Sequence, residues 1–177
     1  MILRCTSLLF AMWELLTRYF QRFPAQSRVA QTLLAQGLSV RPEGVFSGEI
    51  AISDTALARA CNVDRRIISA TVDTIRREPE LLRFYAKLAP TCNLKAAAPV
   101  LGWGVIEIIP SDAREPGILS HVAGVMARRN ISVRQAIVED PDLSEAPRLY
   151  VITEQRVPLD VIEEIRLGRG VKGVTIS

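Results

Sequence analysis

The sequence predicts an α+β protein with a mainly helical front half and a back half in which strands and helices alternate. Over residues 12–89 apolar residues recur at three- and four-residue spacing, which is typical of helices that bury one face. Residues 103–177 hold four short β-type runs and two helical runs. Between them, residues 90–102 (PTCNLKAAAPVLG) have the proline, glycine and alanine content of a linker. The predicted domains are therefore residues 12–89 and 103–177, joined by a linker at 90–102.

The front domain is predicted to hold five helices and a short β-hairpin. The first helix covers residues 12–22 and ends before Pro24, because proline disfavours helix in the residue that precedes it. Its apolar stripe consists of Leu15, Leu16, Tyr19, Phe20 and Phe23. A second helix over 25–36 ends at Gly37, which suits a helix cap. The remaining predicted elements are a hairpin or extended pair within 38–52, a helix pair within 53–77 and a helix over 79–87.

Residues 53–77, SDTALARACNVDRRIISATVDTIRR, predict two amphipathic helices joined by a tight turn. Ser53 or Asp54 caps the first helix and Asp64 caps the second, because their side-chain oxygens accept backbone N–H bonds. Asn62 marks the turn, since asparagine tolerates the left-handed conformation better than most residues. The inward face of the second helix is apolar and consists of Ile67, Ile68, Val72 and Ile75.

The outward face of this second helix is basic, which predicts contact with DNA. Arginine forms bidentate hydrogen bonds with guanine and binds phosphates. We expect base contacts from Arg65, Arg66 and Ser69, and phosphate contacts from Arg59, Arg76 and Arg77. The spacing of Ala58, Asn62-Val63 and Ile68 resembles the helix–turn–helix of bacterial and archaeal regulators. The alternative is an ordinary helical hairpin whose arginines are merely solvated.

Charge and composition narrow the possible functions. The net charge is +3, with 13 basic and 8 acidic residues up to residue 97 and 9 basic and 11 acidic residues after it. This distribution predicts that only the front half meets a polyanion. Three scattered cysteines and one histidine argue against a zinc site and fit a reducing cytoplasm. No catalytic grouping or phosphate-binding glycine loop is recognisable, so we expect neither an enzyme nor a cofactor or metal.

The first 20 residues are apolar enough to suggest a signal peptide or a membrane anchor. Glu14 and Arg18 interrupt the run, and no stretch reaches the roughly 20 apolar residues that span a bilayer. We therefore expect a core helix, no membrane partner and a cytoplasmic protein. Met12 is an alternative translation start, which would leave residues 1–11 as an unstructured leader.

The back half has the element order βαββαβ, which predicts a ferredoxin-like fold. The predicted strands cover 103–109, 131–139, 148–153 and 171–176, and the helices cover 117–129 and 159–167. Pro116-Gly117 precedes the first of these helices; glycine lets a ligand approach the main chain, and the helix N-terminus suits a carboxylate. His121 is predicted to be packed or exposed rather than catalytic, and the acidic loop at Asp140, Asp142 and Glu145 is predicted to be a solvated turn.

The D-x-x-x-P-G-I-L run that begins at Asp112, followed by residues 127–133 (ARRNISV), resembles an ACT domain. The resemblance covers residues 103–177 and implies a small-molecule sensor that mostly binds amino acids and pairs with a second copy. It implies a ligand site between this loop and the start of the second strand, often of a partner subunit. The matching positions are Asp112, Arg114, Gly117 and Ser132. Family members often carry histidine or asparagine there, and the alternative is a module that only dimerises.

A DNA-binding head with an ACT tail is similar to a group of archaeal and other prokaryotic regulators of amino-acid metabolism. The stretch ISDTALARACNVDRR carries that resemblance in the front half. It implies a transcriptional regulator whose partners are DNA, a small molecule such as an amino acid, and further copies of the chain in a homodimer or higher homo-oligomer. A second hypothesis is a regulatory subunit that binds a metabolic enzyme, with Arg65 and Arg66 on an acidic protein surface.

Overall fold

The chain folds as two compact α+β units, each with its own antiparallel sheet. The computed structural model describes residues 11–177, and the two units meet in sequence between Thr91 and Cys92. The alternative start at Met12 concerns residues that lie largely outside the described part. None of the described helices is long and apolar enough to cross a membrane. The α+β class predicted from the sequence is confirmed, since helices and antiparallel strands occur in both units.

The first unit contains five α-helices and a three-stranded sheet within its described residues. The sheet has the order β1 (Ser39–Arg41), β2 (Gly44–Ser47), β3 (Ile50–Ile52), and it pairs Val40 with Val45 and Val45 with Ile52. The sequence predicted one hairpin here, and the structure forms two because Gly48, at a positive φ, turns the chain a second time. The elements are α1 (Ala11–Phe20), α2 (Pro24–Ala35), β1 (Ser39–Arg41), β2 (Gly44–Ser47), β3 (Ile50–Ile52), α3 (Asp54–Cys61), α4 (Arg65–Arg77) and α5 (Pro79–Tyr85).

One apolar core joins the helices and the sheet of this unit. Leu15, Leu16 and Phe20 are buried as predicted, but Phe23 is 53% exposed because α1 ends before it and it caps α2 instead. Tyr85 is fully buried, and its hydroxyl donates to the Ala30 carbonyl at 2.9 Å. Burial raises the pKa of this phenol far above its ordinary value. The core therefore fixes α5 against α2, and both α4 and α5 contact the sheet at β1.

The second unit has the predicted βαββαβ order. Its sheet has the strand order β5 (Val133–Val138), β6 (Leu149–Thr153), β4 (Gly104–Pro110), β7 (Val171–Ile176), and every neighbouring pair is antiparallel. Because β4 and β5 both run antiparallel to β6, they run parallel to each other. The two helices pack on one face of the sheet, over the core that contains Ile108, Val125 and Ile165. The elements are β4 (Gly104–Pro110), α6 (Ile118–Arg128), β5 (Val133–Val138), β6 (Leu149–Thr153), α7 (Leu159–Arg166) and β7 (Val171–Ile176).

Most of the segment predicted as a linker, residues 90–102, instead packs on the second unit. Ala98 is fully buried against Val105 and Ile152 on the sheet face opposite the helices. The Gln135 side chain accepts from the Leu94 N–H at 3.0 Å and donates to the Cys92 carbonyl at 2.7 Å. We call residues 92–103 the strap. The linker prediction is corrected here, because small alanines and prolines allow close packing as well as flexibility and composition does not distinguish the two.

Candidate nucleic-acid interface and ligand cleft

The turn between α3 and α4 is held by the N-terminal cap of α4 and by a left-handed residue, while the start of α3 has a cap of its own. The Ser53 hydroxyl accepts from the Ala56 N–H at 3.2 Å, and the Asp64 carboxylate accepts from the Arg66 N–H at 2.8 Å. Asn62 has φ 51° and ψ 54°, as its place in the sequence predicted. Its N–H and that of Val63 bond to carbonyls in the last turn of α3, the latter to Ala58 at 3.0 Å. The three residues from Asn62 to Asp64 thus set the angle between the two helices.

Helix α4 buries one face and exposes a basic one. Ile68 and Ile75 are fully buried and Val72 nearly so, while Ile67 is half-buried at the flank. An α-helix turns about 100° per residue, so Arg66, Asp73 and Arg77 lie on the side opposite this core. All three are exposed. The helix therefore presents a polar, mostly basic surface to whatever approaches the unit.

The predicted DNA contacts divide into two groups. The side chains of Arg59, Arg65 and Arg66 are exposed and form no ion pair within residues 11–177. The others already hold intramolecular hydrogen bonds. Ser69 is half-buried and donates to Asp54 at 3.2 Å, and Arg77 bonds to the Asp73 carbonyl within its own helix. The arginines at the start of α4 are therefore the donors best placed for an external partner.

Arg76 has a structural contact that the sequence did not reveal. Its guanidinium donates twice to the Arg41 carbonyl at 3.1 and 3.2 Å, which ties the end of α4 to the sheet. Arg41 itself pairs with Glu49 at 3.0 Å and lies over the Phe46 ring at 4.7 Å. That pairing lowers the pKa of the Glu49 carboxyl. Because the hydrogen-bonded partners are 8 and 35 residues apart, helical periodicity could not predict them.

In the second unit, two loops meet beyond the end of β4. Gly117 has φ 103°, a conformation that favours glycine, and it precedes α6. The Asp112 carboxylate accepts from the Arg114 N–H at 2.9 Å within the loop 111–117. The Arg114 guanidinium forms an ion pair with Asp142, which belongs to the loop 139–148. The predicted solvated turn is thus fastened to the loop that precedes α6.

Between these loops lie two adjoining cavities, which together we call the cleft. One is about 200 Å³ and the other about 340 Å³. They share Pro110, Ala113, Pro147 and Arg148 as lining residues. The smaller cavity also contains Gly117, and the larger contains Asp112 and Arg114. Three of the four predicted ligand residues therefore line one cleft.

The fourth predicted residue, Ser132, lies at the other end of the sheet. It directly precedes β5, whose first residue pairs with Thr153, and Thr153 in turn pairs with Gly104 at the start of β4. The loop 111–117 follows the end of β4. At about 3.3 Å per residue, the length of β5 separates Ser132 from that loop by roughly 20 Å. Ser132 therefore does not join Asp112 and Arg114 within one chain, and the predicted set of four could meet only if Ser132 comes from a partner subunit, as the resemblance allows.

No family model matches the chain, and no curated protein matches it. Among solved structures, it is similar to the one described as "Crystal structure of PH0061", at 13% identity over 71% of this chain and 78% of that chain. The TM-score is 0.26, at which the similarity carries no argument about function.

His121 packs within the second unit. Its Nε2 lies 3.3 Å from the Glu164 carbonyl, and its ring lies so close to Gly168 that a Cβ there would fall 2.2 Å from the ring. The histidine thus joins α6 to the residues that follow α7. Of the two positions predicted for it, packed or exposed, this contact corresponds to the packed one.

Proposed function

We propose that this chain is a DNA-binding regulator of helix–turn–helix and ACT type, with a small-molecule sensor in its second unit. The observation that carries the DNA-binding half is the start of α4. There, Arg65 and Arg66 stand exposed, without ion-pair partners in the described chain, directly after a capped three-residue turn. A helix presented in this way fits the major groove, where its first residues reach base edges.

The charges of the first unit support a nucleic-acid partner. Residues 1–91 carry 12 basic and 8 acidic side chains, so the unit attracts phosphate. One recognition helix reads only a few base pairs, and regulators of this type gain affinity by binding two half-sites as dimers. The proposal therefore includes a homodimer, with the second unit as the element that pairs.

The cleft supports the sensing half of the proposal. It is a concave site with one mainly apolar cavity and one mainly polar cavity, and small-molecule sites commonly combine apolar contact with a few convergent polar groups. Regulation requires that the ligand favour one arrangement of the DNA-binding heads over another, typically by about 1–3 kcal/mol. In this proposal the ligand is an amino acid.

DNA binding is tested by fluorescence anisotropy against selected genomic fragments at several salt concentrations. The variant Arg65→Ala/Arg66→Ala is expected to lose specific affinity by more than tenfold, since each bidentate arginine–guanine contact is worth about 1–3 kcal/mol. The matched control is Arg22→Ala/Arg28→Ala, which removes the same charge from exposed positions of the same unit. We expect the control variant to lower the affinity for DNA only slightly, and by the same factor for every DNA sequence.

Three results would contradict the proposal in separate ways. Equal losses in both double variants would mean that the binding is a general charge effect and not readout by α4. The absence of saturable, salt-sensitive binding would remove the DNA-binding half. Loss of a co-purifying enzyme on Arg65→Ala/Arg66→Ala, without any DNA binding by the parent chain, would favour the regulatory-subunit hypothesis.

A further inference from the structure

The smaller cavity of the cleft is suited to an apolar group. Seven of its eleven lining residues carry apolar side chains, among them Ile118, Leu119 and Val138. Leu119 and Val138 are 44% and 56% exposed, which leaves apolar contact area for a ligand. We call this cavity the apolar half.

The carboxylates at the edge of the apolar half already have partners. Glu115 pairs with Arg169 at 2.8 Å. Glu139 accepts from the Arg148 N–H at 3.1 Å and from the Ser144 hydroxyl at 3.4 Å. Because both carboxylates already accept hydrogen bonds from the protein, the apolar half offers a ligand mainly dispersion and hydrophobic contact.

The larger cavity, which we call the polar half, has charges of both signs. Two of its cations are neutralised by the protein, since Arg114 pairs with Asp142 and Arg148 pairs with Glu107 at 3.2 Å. Its other charged side chains are Asp112, Glu145 and Lys172. Among residues 11–177 none of these three forms an ion pair, although Asp112 accepts the Arg114 N–H. The polar half therefore has a cation and two carboxylates left for an external group.

We propose that the cleft binds, within a single chain, an amino acid with an aliphatic side chain. The side chain occupies the apolar half, the α-carboxylate pairs with Lys172, and the α-ammonium lies near Asp112 and Glu145. This inference rests on the sensing function proposed above and names its ligand class. A zwitterion matches the one cation and two carboxylates, whereas a phosphate ester would meet both acids without compensation.

Side-chain length should control affinity. Each buried methylene strengthens binding roughly fourfold, so leucine is expected to bind on the order of fiftyfold more tightly than alanine. Aspartate and lysine should bind more weakly than leucine, because their charged ends would lose water in the apolar half without a free partner. These ratios are measured by titration calorimetry on the full chain with leucine, alanine, aspartate and lysine.

Truncated ligands and matched variants test which part of the ligand binds in the apolar half of the cleft and which part binds in the polar half. Leucinol lacks the carboxylate and 4-methylpentanoate lacks the ammonium, and both are expected to bind at least tenfold more weakly than leucine. Val138→Thr keeps the β-branched shape and should lower the affinity for leucine roughly fivefold, because a hydroxyl replaces a contacting methyl. Its control is Val133→Thr, at the far end of β5 and also partly exposed. Lys172→Met should lower the affinity for leucine at least tenfold, and its control is Lys87→Met in the first unit.

The outcomes separate this inference from the sensing function. Stronger binding of aspartate or lysine than of leucine would overturn the aliphatic class and leave the sensing function in place. Leucine binding that is insensitive to both Val138→Thr and Lys172→Met would overturn the position within the cleft. No binding of any amino acid would overturn the sensing function as well. Leucine binding that needs both ends of the ligand and both named side chains supports the inference.

Discussion

Replacing Asn62 with alanine is expected to lower the free energy of unfolding of the first unit by about 1 kcal/mol. Asn62 has φ 51°, and its backbone N–H bonds to the Ala58 and Arg59 carbonyls, which alanine would retain. The side chain is exposed, so little packing is lost. Alanine and asparagine at this position therefore differ mainly in the free-energy cost of the left-handed backbone conformation. This cost is roughly 1–2 kcal/mol for an L-residue and lower for asparagine. Glycine has no such cost but loses more entropy on folding, so Asn62→Gly should stay within about 0.5 kcal/mol of the parent.

The assay is native-state hydrogen exchange at amides of α3 and α4, because it reports the first unit separately from the second. A change of about 1 kcal/mol raises the open fraction about fivefold, which exchange resolves. Asn62→Gly is the matched control, since it changes the same side chain without imposing the conformational cost. Equal exchange rates in the alanine and glycine variants would refute the reasoning. They would mean that the Asn62 side chain, and not its backbone conformation, stabilises the turn.

Two further predictions concern buried and paired groups. Tyr85→Phe should lower the free energy of unfolding, measured in urea, by about 1 kcal/mol, because it removes the hydrogen bond to the Ala30 carbonyl and keeps the ring. An unchanged free energy of unfolding would mean that this hydrogen bond does not stabilise the fold. Hydrogen bonds from Arg128 and then Arg129 lower the pKa of Glu164 below its ordinary value of 4.5. The stability from this pairing is therefore present above the ordinary pKa and is lost as the pH falls through the folded-state pKa. Arg128→Ala should raise the pKa of Glu164 in an NMR titration, and an unchanged pKa would contradict the assignment.

Local features of the fold were predictable from the sequence because their causes lie within a few residues. Asp64 caps α4 through an N–H two residues away, and Asn62 adopts the left-handed conformation at the turn. The buried face of α4 follows from helical spacing, with Ile68 and Ile75 fully buried. The βαββαβ order likewise follows from the alternation of short runs. Where the physics is local, the pattern of residue types is sufficient.

Features that depend on distant partners were not predictable in the same way. Arg76 and Ser69 look like surface residues by periodicity, yet each bonds to a partner at least 15 residues away. The strap resembles a linker by composition, and only the position of Gln135, more than 40 residues later, shows where it is held. In each case a polar side chain satisfies a backbone group or a side chain that tertiary packing brings near. The sequence contains both partners but not their distance.

The position of Ser132 is a different case, because the predicted topology already determines it. In a βαββαβ sheet the first two strands run parallel, so the loop after the first strand and the residue before the second lie at opposite ends. The structure has this arrangement, with β4 and β5 both antiparallel to β6. A ligand that touches Asp112 and Ser132 must therefore bridge two chains, whereas a ligand held by one chain must lie wholly at one end. The cleft between the loops 111–117 and 139–148 meets the second condition, since all its lining residues belong to that end of one sheet. In the proposed function, a ligand held in the cleft would for this reason not require a second chain.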